Sequence, residues 1–381
     1  MTVSMNKIIY ALCIVFAISC SKEKKEEKIA SNTQLMEPSI NLLVGTYTSD
    51  ASEGIYSLEF SSKTGELKSP TLLASSENPS FLALSDDGKY VYAVNENMEG
   101  EISAFKWNDS RTKLLLQKKV SSGGKHPCYV SVNDHLLSAA NYSSGNFSVY
   151  DIENGSFTGE PVIKNHEGSS VIKPNQNEPH AHCSEASKDG KFLYVADLGI
   201  DKIVGYPFDK EHKIGDKFTA LQMDGGDGPR HFVFHPSKDI VYIISEYSNT
   251  VTTATIDTDS GKFTKIDKKS TLPEDFTEES FCADIHISSD GKFLYASNRG
   301  HNSIAIFEVG NDGALNLKGT EPVQGNWPRN FALSPDESML LVANQHSDNI
   351  TVFKRDQETG LLSYTGNQIK ISKPVCLKFS L

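Results

Sequence analysis

Positive charge is in short supply: 37 lysines and arginines stand against 49 acidic residues in 381, a formal net charge of −12. The lysines are scattered and no RNA-stacking motif is present, which argues against nucleic acid as a partner, because a phosphate backbone needs a basic face. Helical periodicity is nearly absent, so the chain reads as all-β. The six cysteines form no C-x-x-C pair, which removes the usual zinc and redox motifs. Once Cys13 and Cys20 are set aside with the N-terminal segment, Cys128, Cys183, Cys282 and Cys376 open four different repeats and read as small buried apolar residues. No nucleophile elbow and no metal-ligand cluster stands out, and no metal or organic cofactor is expected.

What the chain does have is a unit recurring about every 45 to 54 residues. One copy runs from Pro79 to Asn95: an apolar run, the turn Asp87-Gly88, and a second apolar run ending in a polar residue. A third strand then follows. Variants begin at Pro127, Pro179, Pro229, Ala283 and Pro328. A seventh begins at Lys373-Pro374-Val375-Cys376, and its continuation is Leu42-Leu43-Val44-Gly45-Thr46-Tyr47 at the other end. Repeats of this length built only from strands and turns predict a β-propeller, since a blade cannot cover its own faces and must borrow its neighbours. The expected fold is a seven-bladed propeller of four-stranded antiparallel blades, closed by pairing of the N- and C-terminal strands so that no sheet edge stays open there. The Gly-His and Trp-Asp marks of WD40 blades are missing.

Residues 40–381 read as one propeller domain. Ahead of it, Lys7 and the apolar run Ile8–Ile18, too short to span a bilayer, have the shape of a secretory signal. Ala17-Ile18-Ser19-Cys20 looks like a lipobox, so residues 1–19 are expected to be a lipoprotein signal, Cys20 the lipidated residue and 20–39 a disordered, charged tether. This predicts an extracytoplasmic protein, anchored to the bacterial envelope at the periplasm or outer membrane, that meets the membrane only through its lipid. A monomer is expected.

In an antiparallel hairpin the start of the first strand lies beside the end of the second, so both open on one mouth of the ring. Strand starts bring Pro179-His180-Ala181-His182, Pro229-Arg230-His231, Asp284-Ile285-His286 and Pro328-Arg329-Asn330 to that mouth. Strand ends bring Asn95-Glu96, Asn141-Tyr142, Asp197, Glu246-Tyr247, Asn298-Arg299 and Asn344-Gln345. The opposite ends carry ordinary Ser-x-Asp-Gly-Lys turns. Charges crowded at a channel need a partner, water or a ligand, and this set predicts a site for a small anionic molecule. His182, Arg230, Glu246 and Arg299 depart most from the repeat, and a single site, unlike a structural need, does not recur in every blade. His180, His231, His286, Asn298, Arg329 and Asp197 are candidate substrate contacts. His180 and His231 equally fit wall histidines bonding adjacent blades, Arg329 and Asp284 an inter-blade ion pair, and the recurring asparagines bonds that close a strand end. The connection Asn165–Glu178 reads as a polar rim over the mouth, or as an insertion without added function.

These residues give the chain a resemblance to the bacterial 6-phosphogluconolactonase family of seven-bladed propellers, which also holds carboxy-cis,cis-muconate lactonizing enzymes. It covers essentially residues 41–381 and is carried by Val44-Gly45-Thr46-Tyr47, Pro179-His180-Ala181-His182, Gly228-Pro229-Arg230-His231, Ala296-Ser297-Asn298-Arg299-Gly300 and Trp327-Pro328-Arg329-Asn330-Phe331. The resemblance implies hydrolysis of a sugar 1,5-lactone, with the functional histidine, arginine, glutamate and second arginine falling on His182, Arg230, Glu246 and Arg299. A muconate-type cycloisomerase and a non-catalytic envelope propeller are the alternatives. Asn175 stands where many members have an arginine. The family's phosphorylated substrate arises in the cytoplasm, whereas the lipobox-like segment points outside it, toward a non-phosphorylated aldonolactone or another cyclic ester.

Overall fold

A computed structural model describes residues 40–208 and 213–380. The expected signal, Cys20 and the tether lie outside them. The described residues form seven four-stranded sheets, every neighbouring pair antiparallel, and no helix. Six blades are built from consecutive strands, with innermost strands Leu82–Leu84, Pro127–Asn133, Ala181–Ala186, Pro229–Phe234, Phe281–Ile287 and Pro328–Leu333, numbered here as blades 1 to 6. In blade 7 the innermost strand is Pro374–Ser380, paired with Ile40–Thr46 in the register Leu42 to Phe379 and Val44 to Leu377. Each innermost strand packs on those at either side. The series closes, because Pro374–Ser380 meets both Pro328–Leu333 and Leu82–Leu84.

Two recurring side-chain clasps explain why the sequence repeats. The second strands of blades 1, 2 and 6 end in Asn95, Asn141 and Asn344, and that of blade 5 has Asn298 one residue before its end; all four are fully buried. Their amides donate to carbonyls of the segment arriving from the previous blade: Glu77 at 2.6 Å, Ser122 at 2.9 Å, Thr271 at 3.1 Å and Val323 at 3.5 Å. Toward the opposite end, buried Tyr194, Tyr242 and Tyr295 reach into the next blade and donate to Gly261, Gly313 and Gly360 at 3.0, 3.1 and 2.8 Å. Each such bond contributes about 1 kcal/mol and gives a backbone carbonyl a partner. The far turns are equally regular: Ser85, Ser187, Ser288 and Ser334 bond Asp87, Asp189, Asp290 and Asp336 at 2.6–2.7 Å. Cys128, Cys183, Cys282 and Cys376 are free thiols buried on innermost strands.

The mouth end differs in one respect that matters for chemistry. In blades 2, 3, 4, 6 and 7 the register slips at the start of the innermost strand: Pro374 pairs Thr46 but Cys376 pairs Gly45, Pro127 pairs Asn141 but Tyr129 pairs Ala140, and Ala181 pairs Asp197 but Cys183 pairs Ala196. Likewise Pro229 pairs Ser245 but His231 pairs Ile244, and Pro328 pairs Asn344 but Asn330 pairs Ala343. A bulge of this kind leaves one residue without a partner and turns its side chain out of the ladder. Those residues are Cys128, His182, Arg230, Arg329 and Val375.

Candidate functional site

The mouth is built from those bulge residues and from the residues one step past the asparagine clasps. Side chains alternate along a strand, so if the clasp position points between blades, the next position points to the mouth. That next position is Glu96, Tyr142, Glu246, Arg299 or Gln345 according to the blade. Arg230 Nε and Arg299 Nη2 both approach the same oxygen of Glu246, Oε2, at 3.0 and 2.9 Å. The two guanidiniums are anchored from behind. Arg230 Nη1 donates to Ala283 O at 2.5 Å, and Arg299 donates through Nη2 to Cys282 O at 2.8 Å and through Nε to Phe281 O at 3.4 Å. The arginine side chains are 2% and 5% exposed, the Glu246 side chain 17%. Arg230 Nε meets Glu246 as an ion pair without hydrogen-bond geometry, and apart from Arg299 no described residue donates to this carboxylate, which keeps accepting capacity on its open side.

His182 closes the group. Its ring lies 5.2 Å from His231 and 5.8 Å from Tyr142, edge to face in both cases. His231 Nε2 in turn lies 3.3 Å from Arg230 Nη1. The four residues singled out in the sequence therefore belong to one contiguous cluster, His182 joining it through His231. Buried His182 Nδ1 has no hydrogen-bond partner, a costly state unless a water or ligand group supplies one. Arg329 holds its guanidinium 5.5 Å from the Tyr47 ring and makes no hydrogen bond or ion pair to another described residue. Below it a cavity of about 10 Å³, room for one water, lies among Cys128, Arg230, His231, Arg329 and Asn330.

The electrostatics follow from three cations around few anions. Burial alone would push the Glu246 carboxyl up, but Arg299, Arg230 and Arg329 together hold it below the usual range, so it is ionised at neutral pH. Burial, then Arg230, His231 and Arg329, push His182 well below the usual imidazole value, so it is neutral. Burial and the neighbouring Arg299 and Arg329 lower Arg230 to about 10, and it stays a cation.

Two predicted contacts lie elsewhere. Asp197 is fully buried at the clasp position of blade 3: it accepts from His166 Nδ1 at 2.6 Å, His180 N at 2.7 Å and Gly199 N at 3.0 Å. Asn298 spends its amide on Thr271 and Ser303. Both shape strand ends and have no surface left for a ligand. His180 stacks on Tyr142 with ring centres 4.4 Å apart and bonds Tyr142 O at 3.0 Å, which sets the Tyr142 wall of the pocket. His286 sits further down the channel, 34% exposed, with Nε2 2.9 Å from Asp284 Oδ2. Asp284 pairs with His231 and His286, and not with Arg329.

The connection 166–178 is tied down. Gln176, fully buried, donates to Leu198 O at 2.7 Å and Asp201 Oδ1 at 2.9 Å, while Ser170 bonds Asp201 Oδ2 at 2.5 Å. The same Asp201 accepts from Gly228 N at 2.6 Å, one residue before Pro229-Arg230. Gly228 has φ +64°, where a side chain would be strained and would also strike Tyr247. Asn175, exposed, stands on the outer side of this brace.

Sequence reasoning placed Glu96 at the mouth but counted neither it nor Trp327 among the candidate contacts. Glu96 accepts from Tyr47 Oη at 2.8 Å and Ser80 Oγ at 2.5 Å, and its place one step past Asn95 was the available signal. Trp327 has φ +66°, rare for a bulky residue. Its N–H donates to Asn302 Oδ1 at 2.8 Å, while its indole lies 5.4 Å from the Arg299 guanidinium and stacks on His346 at 4.7 Å. Strain of this kind gathers where a side chain must be held in place. Larger cavities occur elsewhere: 240 Å³ on the outer side by His166, Lys202 and Lys217, and 70 Å³ by Asp189, Tyr194 and Lys238. The second is framed by repeat turn residues, and the first, although Glu167, Lys202 and Lys217 line it, has no buried arginine–carboxylate contact like that of the mouth.

The family described as "Lactonase, 7-bladed beta-propeller" matches residues 41–379. The chain is 33% identical over 340 residues to a 6-phosphogluconolactonase of Bacillus subtilis, covering 88% of this chain and 97% of that one. It is 36% identical over 344 residues to a 6-phosphogluconolactonase of Formosa agariphila, covering 87% and 97%. Among solved structures, a periplasmic gluconolactonase of Pseudomonas aeruginosa superposes with a TM-score of 0.85 at 30% identity, covering 90% of this chain and 99% of that one.

Proposed function

The chain belongs to the lactonase family of seven-bladed β-propellers, and from that premise we propose that it hydrolyses a sugar 1,5-lactone to the open-chain aldonate. The observation that carries this reading is the single carboxylate of Glu246 held at one oxygen by two buried arginines beside a neutral, partly unsatisfied His182. A carboxylate so held is too weakly basic to carry a proton at neutral pH. It accepts a hydrogen bond from the attacking water and fixes its approach to the ring carbonyl. His182, neutral, takes the proton as the water oxygen bonds to the carbonyl carbon and returns it to the ring oxygen as the C–O bond breaks. The acid so formed releases its proton to solvent. Arg329, whose donors are unengaged, meets the oxyanion; Arg230 and Arg299 hold Glu246. Aldonolactones open unaided in water, so the site needs to supply only a modest acceleration.

The substrate is proposed to be a non-phosphorylated aldonolactone met outside the cytoplasm. Ile8–Cys20 and the periplasmic description of the P. aeruginosa relative support that location. Metabolic labelling with a fatty-acid analogue should mark the wild type and not Cys20→Ser. The test of the activity is acid release from glucono-1,5-lactone by purified full-length protein, against the spontaneous rate and against His182→Ala. Acceleration by the wild type that the variant lacks is expected. Equal rates for both overturn the assignment, and lactone formation from a carboxymuconate would move the site to the cycloisomerase branch.

A further inference from the structure

A guanidinium has only N–H donors, so every atom that Arg230 touches must accept. Its Nη1 lies 3.3 Å from His231 Nε2. Nε2 therefore carries the lone pair, and the ring proton is on Nδ1, where Asp284 Oδ1 receives it at 2.9 Å. Asp284 is itself immobilised. Its Oδ2 accepts from His286 Nε2 at 2.9 Å, Asn330 Nδ2 at 2.6 Å and Phe331 N at 3.3 Å, so Oδ1 is left for His231. Arg230, His231 and Asp284 are 2%, 5% and 3% exposed, which leaves water little chance to substitute for any of these bonds.

We infer that His231 and Asp284 form a positioning pair: Asp284 fixes the tautomer and tilt of His231, His231 fixes Arg230, and Arg230 thereby sets where Glu246 holds its water. Such an arrangement works only while His231 is neutral. The groups around its ring are Arg230 on its own strand, Tyr129 from blade 2, His182 from blade 3, Asp284 with His286 behind it from blade 5, and Arg329 across the small cavity from blade 6. Phe81 from blade 1 adds an apolar edge. Burial and then Arg230 lower His231 to about 4, against the opposing pull of Asp284.

The kinetic side of this inference rests on the lactonase reading; the tautomer does not. In His231→Asn the amide sits near the former Nδ1 and keeps a donor for Asp284, but offers Arg230 nothing. His231→Gln carries an oxygen to about the position of Nε2 and restores an acceptor. On glucono-1,5-lactone, full-length His231→Asn should lose about 100-fold in kcat with little change in KM, the scale of a displaced catalytic group. Its unfolding midpoint should stay near wild type, and His231→Gln should regain at least about tenfold of the lost rate. Equal rates in the two folded variants would overturn the pair. Nitrogen-15 NMR of the wild type should show the Nδ1–H form of His231 at neutral pH, and an Nε2–H form or an imidazolium would overturn it too. If the wild type opens no lactone, the lactonase reading falls and the NMR result alone decides the pair.

Discussion

The two ends of the ring are made from the same seven hairpins yet carry different kinds of residue. At the far end one solution recurs: Ser85 with Asp87, Ser187 with Asp189, Ser288 with Asp290, and the tyrosine of one blade bonded to the glycine turn of the next. At the mouth the same backbone bulge presents Cys128, His182, Arg230, Arg329 and Val375 in five blades. A structural need is met once and copied; a site for one ligand is assembled from parts that differ. The backbone supplies the repetition and the side chains break it.

The comparison implies that damage at the mouth should cost rate and damage at the far end should cost stability. The largest effect is expected for Glu246→Gln, with lactone opening reduced about 10³-fold while the protein remains folded, a loss in the range for a group that directs proton transfer. Steady-state kinetics beside circular dichroism would check it. Acidification comes next. His231 ordinarily titrates near 6.5 and here near 4, so between those values the unfolded chain binds more protons than the folded one. Stability is then complete above about pH 6.5 and falls toward pH 4, by on the order of 3 kcal/mol from this residue. Asp284 and Glu246, both held below their usual values, add a further loss as the pH drops below their unfolded range. Urea unfolding at a series of pH values would measure this, and a His231→Gln protein should show a smaller loss between pH 6.5 and 4. Arg329→Met should lower kcat about 100-fold with near-normal stability, as for removal of one oxyanion donor. Tyr194→Phe should be the mildest, costing about 1 kcal/mol of stability and leaving the rate per folded molecule unchanged.

The ring itself was legible from residue types. Apolar alternation, Asp-Gly turns and the split closing repeat all concern what every blade must bury or turn, and such needs leave periodic marks. The mouth was legible only in part. Glu246, Arg299, His182 and Arg230 stood out because they depart from the repeat, and the structure brings them together. Asp197 was misread because a buried carboxylate accepting from His166 and two backbone N–H groups looks, in sequence, the same as one waiting for a ligand. Asn298 was misread against its own recurrence, which marks a clasp. The bulges were invisible because a one-residue slip lives in the pairing between strands and not in either strand alone. So was the Arg230–His231–Asp284 chain, whose members come from two blades and meet only after closure.

Opening of glucono-1,5-lactone by purified full-length wild type, Glu246→Gln and Tyr194→Phe, each corrected for spontaneous hydrolysis and for the folded fraction, tests most directly the claim that the chemistry resides at one end of the ring. The account predicts wild-type acceleration retained in Tyr194→Phe and lost in Glu246→Gln. A folded Glu246→Gln protein that opens the lactone as fast as the wild type would contradict it.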